Sequence, residues 1–121
     1  MPSADVAAEA SRLVDVLGGE LVFAIEAMET RVAMVRMAPA PAPPLLLAGH
    51  LDGERPVLVY RVSSLDATAG ELRARGLHPG PAFGIPHGPC RAFTAPGGHR
   101  FAIYERTRPE ADEHFAGRRD F

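Results

Sequence analysis

The sequence has 121 residues, of which 46% are hydrophobic and 23% are charged, and these proportions are ordinary for a folded globular protein. Its 13 basic residues, all arginines, stand against 15 acidic ones. The chain therefore offers no lysine-rich stripe for the phosphates of a nucleic acid, and nucleic acid is not an expected partner. The length predicts one domain, residues 1–121, that buries about two thirds of the surface of the unfolded chain.

The N-terminal residues MPSADVAAEAS have neither the basic stretch nor the apolar stretch of a secretory signal. The longest apolar stretch, residues 37–49, is short and rich in proline, so it is not expected to cross a membrane. The single cysteine, Cys90, cannot form an internal disulfide, which fits a reducing compartment. We therefore expect a cytoplasmic protein with no membrane partner.

The first half of the chain is predicted to hold one helix followed by three strands. Ser3 is placed to cap the helix, and Gly18 is placed to end it. Strand-forming residues then recur on both sides of a short polar turn, which predicts a hairpin. The predicted strands are residues 20–26, 31–37 and 45–48, the last of which follows a proline-rich connector at 38–44.

The second half repeats this order, with an additional strand in front of its helix. Residues 57–62 are the clearest strand in the chain, and Ser63 or Ser64 then caps a helix that Gly76 ends. Residues 77–89 hold so many prolines and glycines that only a short edge strand is expected there. A hairpin of residues 90–94 and 100–105 follows, and a short helix with a Thr107 cap is predicted to end near Phe115.

Specific segments resemble a known family. The segments VLVYRVSSLDATAGELRARGL and AFTAPGGHRFAIYE resemble the second βαβββ module of the vicinal oxygen chelate superfamily, and LVDVLGGELVF is similar to its first helix-to-strand junction. The superfamily includes glyoxalases, bleomycin resistance proteins and extradiol dioxygenases. The resemblance implies an α+β fold, in which two βαβββ-type modules form a curved mixed sheet around a cavity. The predicted parts are a first module at 1–50, a second module at 57–105 and a C-terminal tail at 106–121.

The resemblance also implies that the family's metal site is lost. In metal-dependent members, His, Gln or Glu side chains from the first, fourth, fifth and eighth strands hold a divalent ion. The fifth-strand and eighth-strand positions here are Val57 and Ala102, and residues 45–48 are all apolar. The first strand is expected to be missing, because Met1 is only two residues before the Ser3 cap. Apolar side chains cannot replace the donors that a divalent cation needs, so we expect neither a metal nor another cofactor.

Alternation along the strands indicates which side chains share a face with Ala102. It places Arg100 and Tyr104 beside Ala102, and it groups Val57, Val59 and Arg61 on one face of the strand at residues 57–62. The resemblance implies that these faces line the cavity. In a plainer interpretation, both arginines are solvated at strand ends and Tyr104 is a packing residue. The predicted ligand-binding residues are Val57, Val59, Arg61, Cys90, Ala92, Arg100, Ala102, Tyr104, His87 and His50.

Three functions remain open from the sequence. The first is a metal-independent superfamily protein that binds a small, partly apolar molecule, by sequestration as in bleomycin resistance proteins or in an unassigned role. The second is a glyoxalase-like or dioxygenase-like metalloenzyme with relocated ligands, which requires His50, His87, Cys90 and Glu105 to converge on one point. The third is a non-catalytic dimeric interaction protein, which a cavity filled by its own side chains would favour.

The missing first strand also bears on assembly. An unpaired sheet edge invites pairing with another chain. We therefore expect a homodimer in which a second chain or the C-terminal tail covers the region of the missing strand. The adjacent arginines of that tail, Arg118 and Arg119, are expected to be solvated.

Overall fold

The computed structural model describes all 121 residues, which form two compact units. The first unit comprises Met1–Glu54 and Phe115–Phe121, and the second comprises Arg55–His114. The helices are α1 (Val6–Asp15), α2 (Leu65–Ala74) and α3 (Ala111–Phe115). The strands are β1 (Glu20–Ala27), β2 (Thr30–Arg36), β3 (Leu45–Ala48), β4 (Leu58–Val62), β5 (Pro79–Ile85), β6 (Gly88–Thr94) and β7 (Arg100–Glu105). None of the three helices is long and apolar enough to cross a lipid bilayer.

The first unit is an antiparallel sheet in the order β1-β2-β3, with α1 packed against it. One face of the helix inserts Val6 and Ala10 against Ala33 and Leu47, which are at most 4% exposed. The predicted hairpin and third strand are confirmed within one or two residues at their ends.

The predicted Ser3 cap of α1 is wrong. Asp5 is the residue that caps the helix, and its carboxylate accepts a hydrogen bond of 3.0 Å from the backbone N–H of Ala8. The backbone N–H of Ser3 instead donates to the carbonyl of Ala48, at the end of β3. A backbone bond to the sheet holds Ser3 outside the helix, so the next residue with a suitable carboxylate takes the cap.

Residues 1–3 take the sheet position of the first strand that was expected to be missing. Pro2 forms a parallel bridge with Ala48, and the N–H of Ala48 donates to the carbonyl of Met1. In the second unit, β4 pairs in parallel with β7 in the corresponding place. The first strand is therefore reduced to a single bridge rather than lost.

The last residues of the chain pair with the other edge of the first sheet. Arg119 forms a parallel bridge with Ala24 of β1, and the guanidinium of Arg119 donates to the backbone carbonyls of Leu21 and Val22. Arg118 forms an ion pair with Asp120. Both arginines are exposed, as expected, but both side chains also have protein partners.

The second unit is a mixed sheet in the order β4-β7-β6-β5, covered on one face by α2. Ser64 caps α2, and its hydroxyl accepts from the N–H of Ala67, which selects the second of the two predicted caps. Leu65 and Ala69 of the helix pack on Phe93 and Ile103 of the sheet. The predicted α+β class is confirmed in both units.

Two elements of the second unit differ from the prediction. The segment rich in proline and glycine forms a seven-residue strand, β5, and not merely a short one. It lies at the sheet edge, where the missing N–H of proline costs no ladder bond, and its pairing with β6 shifts register between Pro79 and Ala82. Thr107 does not cap the last helix, because its backbone N–H donates to the carbonyl of His87 and α3 begins only at Ala111.

Candidate functional site

The candidate site is the face of the second sheet opposite α2. On β7, Phe101 and Ile103 pack toward the helix, and Ala102 and Tyr104 therefore point to the other face. Strand register adds the cross-strand neighbours. One row runs through Val59, Ala102 and Ala92, and the next runs through Arg61, Tyr104, Cys90 and Phe83. Seven of the ten predicted binding residues thus lie on one sheet face: Val59, Arg61, Cys90, Ala92, Arg100, Ala102 and Tyr104.

The centre of this face is small and apolar. Ala102 is 5% exposed and Cys90 is 2% exposed, while Val59 on the neighbouring edge strand is 56% exposed. These short, buried side chains lie beside exposed apolar and cationic side chains on β4, Val59 and Arg61.

Cys90 is not an activated thiol. Burial raises the pKa of the Cys90 thiol, and this effect outweighs a backbone hydrogen bond from Arg91 that lowers it. The thiolate is the nucleophilic form of cysteine, so a raised pKa disfavours reactivity at neutral pH. The chain therefore offers no support for a nucleophilic role of Cys90.

His87 lies in the turn between β5 and β6, beside Tyr104. Its Nε2 is 2.8 Å from Oδ1 of Asp112, and its ring meets the Tyr104 ring edge-on with centroids 6.3 Å apart. Asp112 also accepts from the guanidinium of Arg106. His87 therefore pairs with Asp112 of α3, and its ring supports Tyr104 from the side.

The remaining predicted residues stand outside the strands of this face. Val57 immediately precedes β4 and is half-buried. His50 belongs to the first unit, in the exposed turn that follows β3. In contrast, sequence reasoning missed Phe83, which is 46% exposed and lies opposite Cys90 on the same face. Only the register of β5 identifies Phe83, because its proline-rich surroundings hide the alternation of a strand.

The residues present do not fit the metal ion that metal-dependent members of the superfamily hold. Ala102 and Val57 have no donor atoms, and no group of three His, Cys, Asp or Glu side chains comes close enough together to hold a metal. Glu105 was a candidate for a relocated ligand, but it points to the α2 side of the sheet. Its Oε2 accepts a 2.9 Å hydrogen bond from the backbone N–H of Leu65 at the start of α2. A relocated metal site requires its ligands to converge on one point. Glu105 and Cys90 do not meet this requirement, because they lie on opposite faces of the sheet.

An open pocket of about 440 Å³ lies at the carboxyl ends of the parallel strands β4 and β7. It is lined by Arg61, Val62, Ser63, Glu105 and Arg106. Arg61 belongs both to this pocket and to the face opposite α2, so the two features are contiguous through one side chain. Carboxyl ends of parallel strands are a common place for ligands, because loops and helix starts gather there.

Comparison with known structures assigns the fold. In the second unit, the strand before the helix pairs in parallel with the last of three further strands, which is the βαβββ module. The chain superposes with a TM-score of 0.71 on methylmalonyl-CoA epimerase from Mycobacterium tuberculosis, at 24% identity over 91% of this chain and 86% of that one. The fold is that of the vicinal oxygen chelate superfamily, as the sequence resemblance predicts.

Other solved structures match over similar lengths with much lower superposition scores. The antibiotic-binding protein TnmS3 from Streptomyces sp. CB03234 shares 22% identity over 88% of this chain and 91% of that one, with a TM-score of 0.40. The fosfomycin resistance protein FosX from Listeria monocytogenes shares 12% identity over 93% and 92%, with a TM-score of 0.41. No protein-family model and no curated protein matches the sequence significantly.

Proposed function

We propose that the chain binds a small, partly apolar molecule on the face of the second sheet opposite α2, without a resident metal ion. The observation that supports this most directly is the identity of the central residues. Ala102, Ala92 and Cys90 form a small apolar floor, beside the exposed Val59 and the half-buried Tyr104. The molecule would be sequestered there or held in a role not yet assigned.

The proposed contacts are the predicted binding residues of this face together with Phe83. Apolar contact surface on the exposed side chains of Val59 and Phe83 supplies the affinity, because removing apolar area from water contributes roughly 25 cal/mol per Å². Tyr104 adds an aromatic surface that His87 holds in place. The division into modules 1–50 and 57–105 with a tail from residue 106 stays a proposal, as do the cytoplasmic location and the homodimer.

A neutral apolar dye tests this proposal. Nile red fluorescence is titrated with the wild-type protein, with Val59→Asp and with the matched control Val16→Asp, which changes a residue 73% exposed in the first unit. We expect saturable binding to the wild type and the control. We expect binding to Val59→Asp to be weaker by about ten-fold or more, because a carboxylate on this face must be desolvated. Equal binding to all three proteins would overturn the assigned location.

Metal analysis tests the second half of the proposal. Purified protein that carries zinc, iron, manganese or nickel in stoichiometric amounts would contradict metal-independent binding. It would favour the metalloenzyme alternative, although the ligands would then have to differ from the predicted set of His50, His87, Cys90 and Glu105. The expected result is a metal content far below one ion per chain after purification without chelator.

A further inference from the structure

The pocket at the ends of β4 and β7 presents hydrogen-bond donors. Arg61 is exposed and makes neither a hydrogen bond nor an ion pair with the protein. Its guanidinium offers five N–H donors in a planar fork. The Ser63 hydroxyl lies in the same lining and adds a further donor.

Arg106 also lines the pocket. Its Nε is buried without a hydrogen-bond partner, whereas its terminal nitrogen donates to Asp112 and to the carbonyl of Pro109. A buried N–H without a partner costs roughly 1–3 kcal/mol. The only carboxylate in the lining is Glu105, and one of its oxygens already accepts from the N–H of Leu65.

We infer that this pocket recognises an acidic group, a carboxylate or a phosphate, on the small molecule whose apolar part lies on the face opposite α2. Arg61 forms the ion pair with this acidic group, the Ser63 hydroxyl supplies a further donor, and Arg106 adds positive charge to the lining. The inference rests on the proposed function, because Arg61 joins the pocket to that face. The ligand class is therefore an amphiphilic acid, with an apolar body over Val59 and Ala102 and an anionic head at the strand ends.

Planar ion pairs distinguish this class from neutral ligands of the same shape. Charge-assisted hydrogen bonds from arginine to a carboxylate are about twice as strong as neutral ones. An acid should therefore bind more tightly than its isosteric amide, whose NH2 group would face donors. The preference should depend on Arg61 and not on the overall charge of the protein.

The test compares 1-naphthylacetate with 1-naphthylacetamide by backbone amide NMR titration at physiological salt. The variant is Arg61→Gln, and the matched control is Arg73→Gln, which removes an equal charge from an exposed position of α2. On the wild type we expect the acid to bind about five-fold or more tightly than the amide, and we expect the Ser63 and Arg106 amide signals to move with the acid. Arg61→Gln should abolish this preference, and Arg73→Gln should keep it.

The outcomes separate this inference from the function it rests on. If Nile red binds to the wild type but the acid has no advantage over the amide, the anionic subsite is overturned and the apolar site stands. The anionic subsite is likewise overturned if Arg61→Gln keeps the preference or if Arg73→Gln removes it. If neither Nile red nor either naphthyl probe binds to the wild type, the proposed function fails and the inference fails with it. A phosphate in place of the carboxylate is distinguished by a parallel titration with 1-naphthyl phosphate.

Discussion

The α-carbon of Gly88 lies directly against the backbone carbonyl of Glu105. A Cβ placed on Gly88 would overlap that oxygen, and the φ of Gly88, +153°, is a conformation that other residues rarely adopt. This close approach brings the start of β6 to the end of β7, beside the pocket. We expect Gly88→Ala to lower the free energy of unfolding by about 3 kcal/mol or more, because the backbone itself must move.

Gly84→Ala is the matched control for this change. Gly84 lies on the neighbouring β5, and a Cβ there would meet no atom within 4 Å. Urea unfolding followed by circular dichroism should place this control within about 0.5 kcal/mol of the wild type. Similar losses for both variants would mean that the second sheet is sensitive to any added methyl group, contrary to the contact described.

Glu105 is expected to stabilise the start of α2. Its carboxylate accepts from the Leu65 N–H, one of the helix donors with no partner inside the helix. Glu105→Ala should therefore cost about 1–2 kcal/mol, and Glu105→Gln should restore most of the loss because the amide oxygen can still accept. Thermal unfolding measures both. A glutamine variant as unstable as the alanine variant would show that the hydrogen bond is not the cause.

Asp120 should make the pairing of the C-terminal residues with β1 dependent on pH. Hydrogen bonds to Asp120 from Arg118 and from the backbone N–H of Glu26 lower the pKa of Asp120. Because the folded pKa lies below the unfolded value, the contribution is present above about pH 4 and is lost as the pH falls through the folded pKa.

The Glu26 amide proton reports this titration by NMR. We expect it to shift upfield below about pH 4 in the wild type, as the carboxylate acceptor gains a proton. In Asp120→Asn the acidic shift should be absent, whereas the control Asp66→Asn, an exposed residue of α2, should keep it. A Glu26 signal that titrates identically in Asp120→Asn would contradict the assignment.

Cys90 should be unreactive in the folded protein. The side chain is 2% exposed, and burial raises the pKa of its thiol. Reaction with a disulfide reagent at pH 7.5 should therefore be slower than in guanidinium chloride by about two orders of magnitude or more. A rapid reaction of Cys90 in the folded protein would contradict this prediction and would support a functional thiol on this face.

The dimer prediction now depends on β4. Both edges of the first sheet carry short pairings from the chain's own ends, so the predicted reason for a partner no longer holds there. In the second sheet, β4 is an edge strand on which Leu58, Val59 and Tyr60 are all more than half exposed. Such an edge can pair with the same strand of a second copy about a two-fold axis.

Sedimentation velocity at micromolar concentration measures the association. We expect a dimer for the wild type and a monomer for Leu58→Glu, since a charge on the edge opposes pairing. Met28→Glu, at a residue 96% exposed in the hairpin turn of the first unit, should remain dimeric. A wild-type monomer would remove the homodimer from the proposed function.

Local sequence signals determined much of the second unit. The Ser64 cap, the glycine after α2 and the alternation of β4 and β7 depend only on residues near one another, so they could be predicted without knowing the fold. The same alternation placed Ala102 and Tyr104 on one face of β7, and the family resemblance implied that Arg61 of β4 lies on the same side. The resemblance also implied that Ala102 stands where metal-dependent members carry a ligand, which argued against a metal there.

The tertiary structure alone decided which strands align and what covers their ends. Phe83 joins the row of Cys90, Tyr104 and Arg61 only through the register of β5 with β6, and Glu105 meets the start of α2 across 40 residues of sequence. Residues 1–3 and the C-terminal residues pair with strands far along the chain, at Ala48 and Ala24. Local propensity cannot specify such pairings, because register is fixed by long-range packing and hydrogen bonding between strands that the sequence keeps apart.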